Sequence, residues 1–268
     1  MSPIQRQTTF GLVVGTDLSA ANGTYAWKGV PYAKPPVGEL RWKAPADPYP
    51  WASPRLTQQF GHACAQASRL YGPGLNNKYD ATIGTSLGKT VGSEDCLYLN
   101  IWRPASAAAQ LPVIVWVHGG SNISGYTADP MYDGANLART ANAVFVSVNY
   151  RLGVLGFFNL GQLKTGNPLD DSGNFALLDV IKALQFVHRN IAAFGGDPGN
   201  VTLMGESAAW PSPIINSRSR RSAWSRKAAA GASVATLPAG SSLAGEMPPL
   251  IGSSLCTRST RSGDVIKA

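Results

Sequence analysis

The stretch Gly205-Glu206-Ser207-Ala208-Ala209 constrains this chain more than any other. Immediately before it runs Val201-Thr202-Leu203-Met204, a short apolar segment that predicts a buried strand. A strand leading straight into Gly-x-Ser-x-small predicts a sharp turn that holds the serine hydroxyl out at the carboxyl edge of a sheet. Gly205 suits such a turn because it has no Cβ to obstruct the approach of other backbone. An ordinary surface turn can meet the same three fixed points by chance, so the surroundings must decide.

Those surroundings alternate strands with helices. Val113-Ile114-Val115-Trp116-Val117 is continuously apolar, which predicts a parallel strand covered on both faces. Residues 143–148 have the same character, while Leu97 to Trp102 alternates at period two and predicts a half-buried strand. Tyr132 to Thr140 is a short helix candidate. A longer helix is predicted from an N-cap near Ser172, with Leu177, Ile181, Leu184, Val187, Ile191 and Phe194 as its apolar stripe and Gly195-Gly196 as its stop. Ahead of these, Thr8 to Val14 and Thr24 to Val30 predict an N-terminal hairpin around the turn signal Asn22-Gly23. Between 43 and 93 the chain is rich in Pro, Gly, Asn and Ser and predicts a long loop. Alternating strands and helices imply an α/β fold built on a mostly parallel sheet with an N-terminal antiparallel hairpin.

Composition matters mainly for the segment beyond Ala209. The formal net charge is +8 over 268 residues. Residues 1–209 carry 15 Lys and Arg against 13 Asp and Glu, whereas residues 210–268 carry 8 against 2. The basic excess therefore belongs to the tail, and the body offers no electrostatic footprint for nucleic acid. Residues 210–268 have no sustained apolar period and are expected to be disordered or out of frame, so two segments are predicted, 1–209 and 210–268. No run of 18 apolar residues predicts a membrane span, and no apolar region follows Arg6 to make a signal peptide.

A serine that attacks a carbonyl needs backbone N–H donors aimed at the oxygen where charge develops. Val117-His118-Gly119-Gly120-Ser121, just after the central strand, has the paired glycines for such a turn. With this second motif the chain resembles the type-B carboxylesterases, a family of α/β-hydrolases that includes bacterial carboxylesterases and cholinesterases. Five segments carry the resemblance, in order: Gly29 to Trp42, Ser93 to Asn100, His118-Gly119-Gly120, Asn149 to Gly153, and Phe194 to Ala208. The resemblance implies carboxylic ester hydrolysis through an acyl-serine at Ser207, on a small-molecule ester, with no cofactor and no metal. It implies Gly120, Ser121 and Ala208 as oxyanion N–H donors, with Gly119 supporting them and Glu206 shaping the field beside the nucleophile. Ser121 departs from the family's usual glycine or alanine. The resemblance also implies a Cys64–Cys96 disulfide across the long loop and a structural ion pair between Glu94 and Arg151. A bridged pair points to an oxidising compartment, an unbridged one to the cytoplasm.

Two departures qualify that picture. Serine must be activated by a base, and this fold orders its triad Ser, then Asp or Glu, then His. His62, His118 and His188 all precede Ser207. Second, Ala209 replaces the usual glycine, and Pro211 and Pro213 stand where a helix should start. Pattern and composition change together at Ala209, as in a frameshifted or prematurely terminated gene; a short variant with its own tail is the alternative. An inactive chain of hydrolase descent is expected, and a non-catalytic remnant or interaction protein is the competing class.

Overall fold

The computed structural model describes residues 2–70, 72–74 and 84–207, with the backbone of 225–229 and 232–236. Strands β1 (Gln5–Thr8) and β2 (Gly11–Val14) form the first hairpin. Next come β3 (Thr16–Leu18), the single turn α1 (Ser19–Asn22) and β4 (Thr24–Pro31). Gly23 ends α1 in the left-handed conformation at φ 75° and lets β3 and β4 pair antiparallel. The partner of β4 across Asn22-Gly23 is thus β3 and not the expected Thr8 to Val14, because residues 11–14 fold back on β1 instead.

The long loop is stitched by short pairings. β5 (Arg55–Leu56) adds to β2, while β6 (Gln66–Ala67) pairs antiparallel with β7 (Thr90–Val91). After them come β8 (Tyr98–Pro104), β9 (Leu111–Val117), α2 (Ala135–Thr140), β10 (Val144–Val148), α3 (Gly153–Gly156), α4 (Phe175–Asn190) and β11 (Gly196–Glu206). Two further strands, β12 (Ser225–Ala229) and β13 (Ala232–Thr236), lie in the tail expected to be disordered, and β13 pairs antiparallel with β11. The rest of the tail lies outside the described residues.

The main sheet runs β12-β13-β11-β9-β10-β8-β4-β3. Only β11, β9 and β10 are mutually parallel, so the sheet is mixed rather than mostly parallel. Parallel neighbours need a crossover, and the helices after β9 and β10 supply one each. β3 and β4, by contrast, are joined by a single short turn and must run antiparallel.

Two apolar clusters sandwich the centre. One joins Val113, Val115 and Val117 of β9 with Val144, Val146 and Val148 of β10 and Ala176, Val180, Ala183 and Val187 of α4. On the opposite face, Phe145 and Trp102 pack with Ala135 and Ala138 of α2. The α4 stripe is rotated from the expected one: Leu177 and Ile181 are only half-buried, while Ala176, Asp179, Val180 and Ala183 face inward. Its N-cap is Asn174, not Ser172, and Gly195 stops the following 3-10 turn at φ 83°. β8 is buried on both faces from Leu99 to Pro104, not half-buried as its alternation predicts. Its buried amide Asn100 is satisfied inside: Asn100 Nδ2 donates to Thr127 Oγ1 and Ser147 Oγ at 2.9 and 3.0 Å. Conversely, β9 is not covered equally on both faces, for Ile114 and Trp116 stay partly exposed.

Candidate active site

β11 delivers Gly205, Glu206 and Ser207 to the carboxyl edge of the sheet. Ser207 leaves the strand at φ 54°, a left-handed conformation that L-residues seldom adopt and that persists where the surrounding structure enforces it. Both Glu206 and Ser207 are exposed. In register beside them, β9 ends at Val117 opposite Gly205. The turn after β9 therefore meets the turn after β11.

That meeting is close. A Cβ added to Gly119 would lie 3.2 Å from Ser207 Cβ and 3.0 Å from the Glu206 carbonyl oxygen, so the 119 position tolerates nothing larger without displacement. Gly120 (φ 113°), Ser121 (φ 56°) and Asn122 (φ 62°) then turn the chain through successive positive φ values. A Cβ on Gly120 would collide with the Ser124 carbonyl oxygen. The Gly120 carbonyl anchors this turn by accepting from Ile123 N, Ser124 N and Ser124 Oγ, each at 3.1 Å. Among the described residues, neither the Gly120 nor the Ser121 N–H donates to a protein acceptor. Both N–H groups are thus left unengaged among the described residues. Ala208, the third, lies outside the described residues.

The histidines sit elsewhere in chemistry. His62 and His188 are exposed. His118 is buried, stacked on Tyr150 with ring centroids 4.6 Å apart, and its Nδ1 lies 2.9 Å from the Gly119 carbonyl oxygen. With a carbonyl as partner, that nitrogen carries the proton. Burial pulls its pKa down to about 4, against the smaller lift from the Gly119 hydrogen bond, so the ring is neutral near pH 7. Its backbone carbonyl accepts the Tyr150 hydroxyl at 2.8 Å. His118 is a brace of the turn. Near the serine, the Tyr132 hydroxyl makes a long 3.5 Å contact with Glu206, and burial, with the Glu206 charge second, raises that phenol to about 12.

The expected Glu94–Arg151 ion pair is not formed. Glu94 instead receives a fork from Arg41, and Arg151 makes one to Asp179 of α4. Sequence order placed Glu94 and Arg151 in family segments, but the pairing is set by α4, whose turn at 179 faces the strand ends. The bridge is also absent: Cys64 and Cys96 are free, buried thiols, and Cys64 Sγ accepts the Leu152 N–H at 3.2 Å. Cys256 lies outside the described residues. Among the described residues no cluster of His, Cys, Asp or Glu could hold a metal, and no helix is long and apolar enough to cross a membrane.

Gln66, Asp179 and Asn149 escape a reading of the sequence, although each is buried and polar. Only Asp179 gave a signal, an acid at helical spacing among apolar neighbours. Asn149 accepts the Thr127 N–H and donates to the His62 carbonyl, so it ties the far end of the turn to the long loop.

Comparison with known proteins agrees with this geometry. The sequence profile described as "Carboxylesterase family" matches residues 2–209. Para-nitrobenzyl esterase of Bacillus subtilis is 44% identical over 201 residues, 75% of this chain and 37% of that protein. Cholinesterase of Mus musculus is 42% identical over 202 residues, 75% of this chain and 32% of its own length. Among solved structures, a thermophilic para-nitrobenzyl esterase superposes with a TM-score of 0.67 at 41% identity, covering 78% of this chain and 39% of that one. The chain spans little more than a third of the length of the relatives it matches.

Proposed function

Because the chain belongs to the carboxylesterase family, we propose that Ser207 is the nucleophile of a carboxylic ester hydrolase. Its Oγ attacks the ester carbonyl carbon, the C=O electrons move onto oxygen, and the N–H groups of Gly120, Ser121 and Ala208 hold the resulting oxyanion. Collapse expels the alcohol and leaves an acyl-serine, which water hydrolyses to the acid. The observation that carries this reading is the left-handed Ser207 at the end of β11 with Gly119 packed against its Cβ.

The serine proton needs an acceptor. All three histidines precede Ser207, two are exposed and His118 is engaged with Gly119. We therefore expect the 268-residue chain to hydrolyse a para-nitrobenzyl or p-nitrophenyl ester close to background. Losing a triad member costs several orders of magnitude, with roughly 10³–10⁴-fold over water retained by the oxyanion hole and binding. A fluorophosphonate probe should label Ser207 weakly, and Ser207→Ala should remove what labelling there is. Robust turnover that survives Ser207→Ala would overturn the nucleophile. Robust turnover that depends on Ser207 would overturn the claim that no base is at hand. The second reading, a non-catalytic interaction protein, is favoured only by that want of a base; it predicts no labelling even with hydroxide in excess.

We also propose that Cys64 and Cys96 close into a disulfide under oxidising conditions, since both are free thiols buried in the same core cluster. The chain-entropy model gives a loop of this length about 3–4 kcal/mol. Non-reducing peptide mapping should find the two peptides joined; persistence of both thiols after oxidation would refute the pairing.

A further inference from the structure

Gln66 lies far from Ser207 in sequence, and its position on β6, in the long loop, gave no hint of a role. It is buried, and two of its three side-chain hydrogen bonds go to Gly125. Its Oε1 accepts the Gly125 N–H at 2.9 Å, and its Nε2 donates to the Gly125 carbonyl at 2.9 Å and to the Cys64 carbonyl at 3.0 Å. The side chain thus pairs with Gly125 as a neighbouring strand would, closing both backbone groups of one residue.

Gly125 is a sensitive point to hold. It sits at φ 118°, and a Cβ there would meet the His118 ring and lie 2.6 Å from the Gly119 carbonyl oxygen. Whatever fixes Gly125 therefore fixes the back of the residue that packs on Ser207. At the other side of the turn, Ser124 closes onto Gly120 through its N–H and hydroxyl. The segment from Gly119 to Gly125 is a left-handed loop whose two limbs touch, and among its described contacts Gln66 supplies the only side chain from the long loop.

We propose that Gln66 is a positioning residue that sets the register of the 119–125 turn, and through it the direction of the Gly120 and Ser121 N–H groups. This rests on the acyl-transfer reading of Ser207. The physical reason is the asymmetry of buried hydrogen bonds: an unpaired Gly125 N–H or C=O would be costly, so the turn follows the amide that satisfies it. Oxyanion donors act through placement, and misplacement of about 1 Å can cost as much as roughly 100-fold in rate.

The test compares the chain with Gln66→Met, which keeps length and removes the amide, and Gln66→Asn, which keeps the amide and falls short of Gly125. Two quantities are measured. The first is amide hydrogen exchange of a peptide covering 119–126, referenced to a peptide from α4. The second is single-turnover acylation of Ser207 by p-nitrophenyl acetate at alkaline pH, where hydroxide can take the proton, with Ser207→Ala as blank. Exchange in the turn should quicken about tenfold while α4 is unchanged, as for a local opening. The saturating acylation rate should fall roughly 10- to 100-fold with the half-saturating ester concentration unmoved. Equal quickening in both peptides marks a merely structural residue and overturns the proposal. So does an unchanged turn, or a loosened turn with an unchanged acylation rate. If the unsubstituted chain shows no acylation above Ser207→Ala, the acyl-transfer reading falls, and the exchange result alone then decides whether Gln66 holds the turn. Should Gln66→Met not fold, Gln66→Asn carries both measurements.

Discussion

Two arginine forks in this molecule have nearly the same geometry and opposite surroundings. Arg151 grips Asp179 through Nε and Nη2 at 2.8 and 2.8 Å, and Arg41 grips Glu94 through the same atoms at 2.6 and 2.8 Å. The first pair is 2% and 0% exposed, the second 41% and 28%. Distance therefore says little about what each contributes. At the surface, water competes for both ions and side-chain entropy opposes the fork. In the interior the ions have lost their water, and their mutual attraction with added hydrogen bonds must offset that loss. Asp179 has such an addition, the Arg151 backbone N–H at 3.1 Å, while Arg151 lies over the Phe175 ring at 5.2 Å. Burial pushes the Asp179 carboxyl up, whereas Asp179, against burial, holds the Arg151 guanidinium charged. Three N–H donors on one carboxylate decide for the ionic pair.

Breaking the interior fork gives the largest effect. Asp179→Ala strands a buried guanidinium and one backbone N–H, and should cost about 3–5 kcal/mol in urea unfolding. Arg151→Met together with Asp179→Leu removes both charges and should recover most of that. It should not recover all, because the backbone N–H at 151 keeps no acceptor, a residue of about 1–3 kcal/mol. If Asp179→Ala proved no more harmful than removal of Arg41, the contrast drawn from burial would fail.

His118 extends the comparison to pH. Its folded pKa, about 4, lies below the unfolded value of 6.5, so the unfolded chain binds the proton first. Stability should be constant above about pH 6.5, fall as pH drops toward 4, and level off below. A shift of that size is worth on the order of 3 kcal/mol. His118→Gln, which can still donate to Gly119, should flatten this window. A wild-type midpoint that stays constant from pH 7 to 4 would mean the ring is not buried as described.

The same contrast explains how much the sequence reveals. Val201 to Met204, the elbow Gly205 to Ser207 and the paired glycines 119 and 120 were legible because each is a local pattern: an apolar run, a turn, a tolerated φ. α4 was legible in existence, and Gly195 as its stop, but its inward face was rotated because Ala176 and Ala183 carry little hydrophobic signal and Asp179 carries the wrong one. The family resemblance implies Glu94 as the partner of Arg151, and nothing local corrects it, since a carboxylate 57 positions before Arg151 reads the same as one 28 positions after it. Gln66 was illegible for the same reason. Its partner is backbone at 125, and a backbone partner leaves no mark on composition. The share of antiparallel pairing in the sheet is harder to read, because strand order depends on which crossovers the chain can make and an antiparallel strand such as β8 has the same local pattern as a parallel one.

The smallest effect belongs to the exterior fork. Arg41→Gln leaves Glu94 a water-exposed carboxylate and removes a guanidinium that lies 5.8 Å from the centre of the Trp42 ring. Glu94 loses an attraction that water and counterions already screen, and Trp42 keeps its hydrogen bond to the Val154 carbonyl at 2.9 Å and its contact with Phe158. The urea midpoint should therefore move by far less than for Asp179→Ala. Whatever shift appears at low salt should fade as salt rises, because the screening length falls to about 3 Å at 1 M. The interior variant should show no such fading, as its ions lie out of reach of counterions. Measuring both variants across one salt series separates the environments directly. Equal salt dependence, or a larger loss from Arg41→Gln, would mean that Glu94 and the 93–97 segment depend on this fork to hold the long loop, and the ranking by burial would have to be reversed.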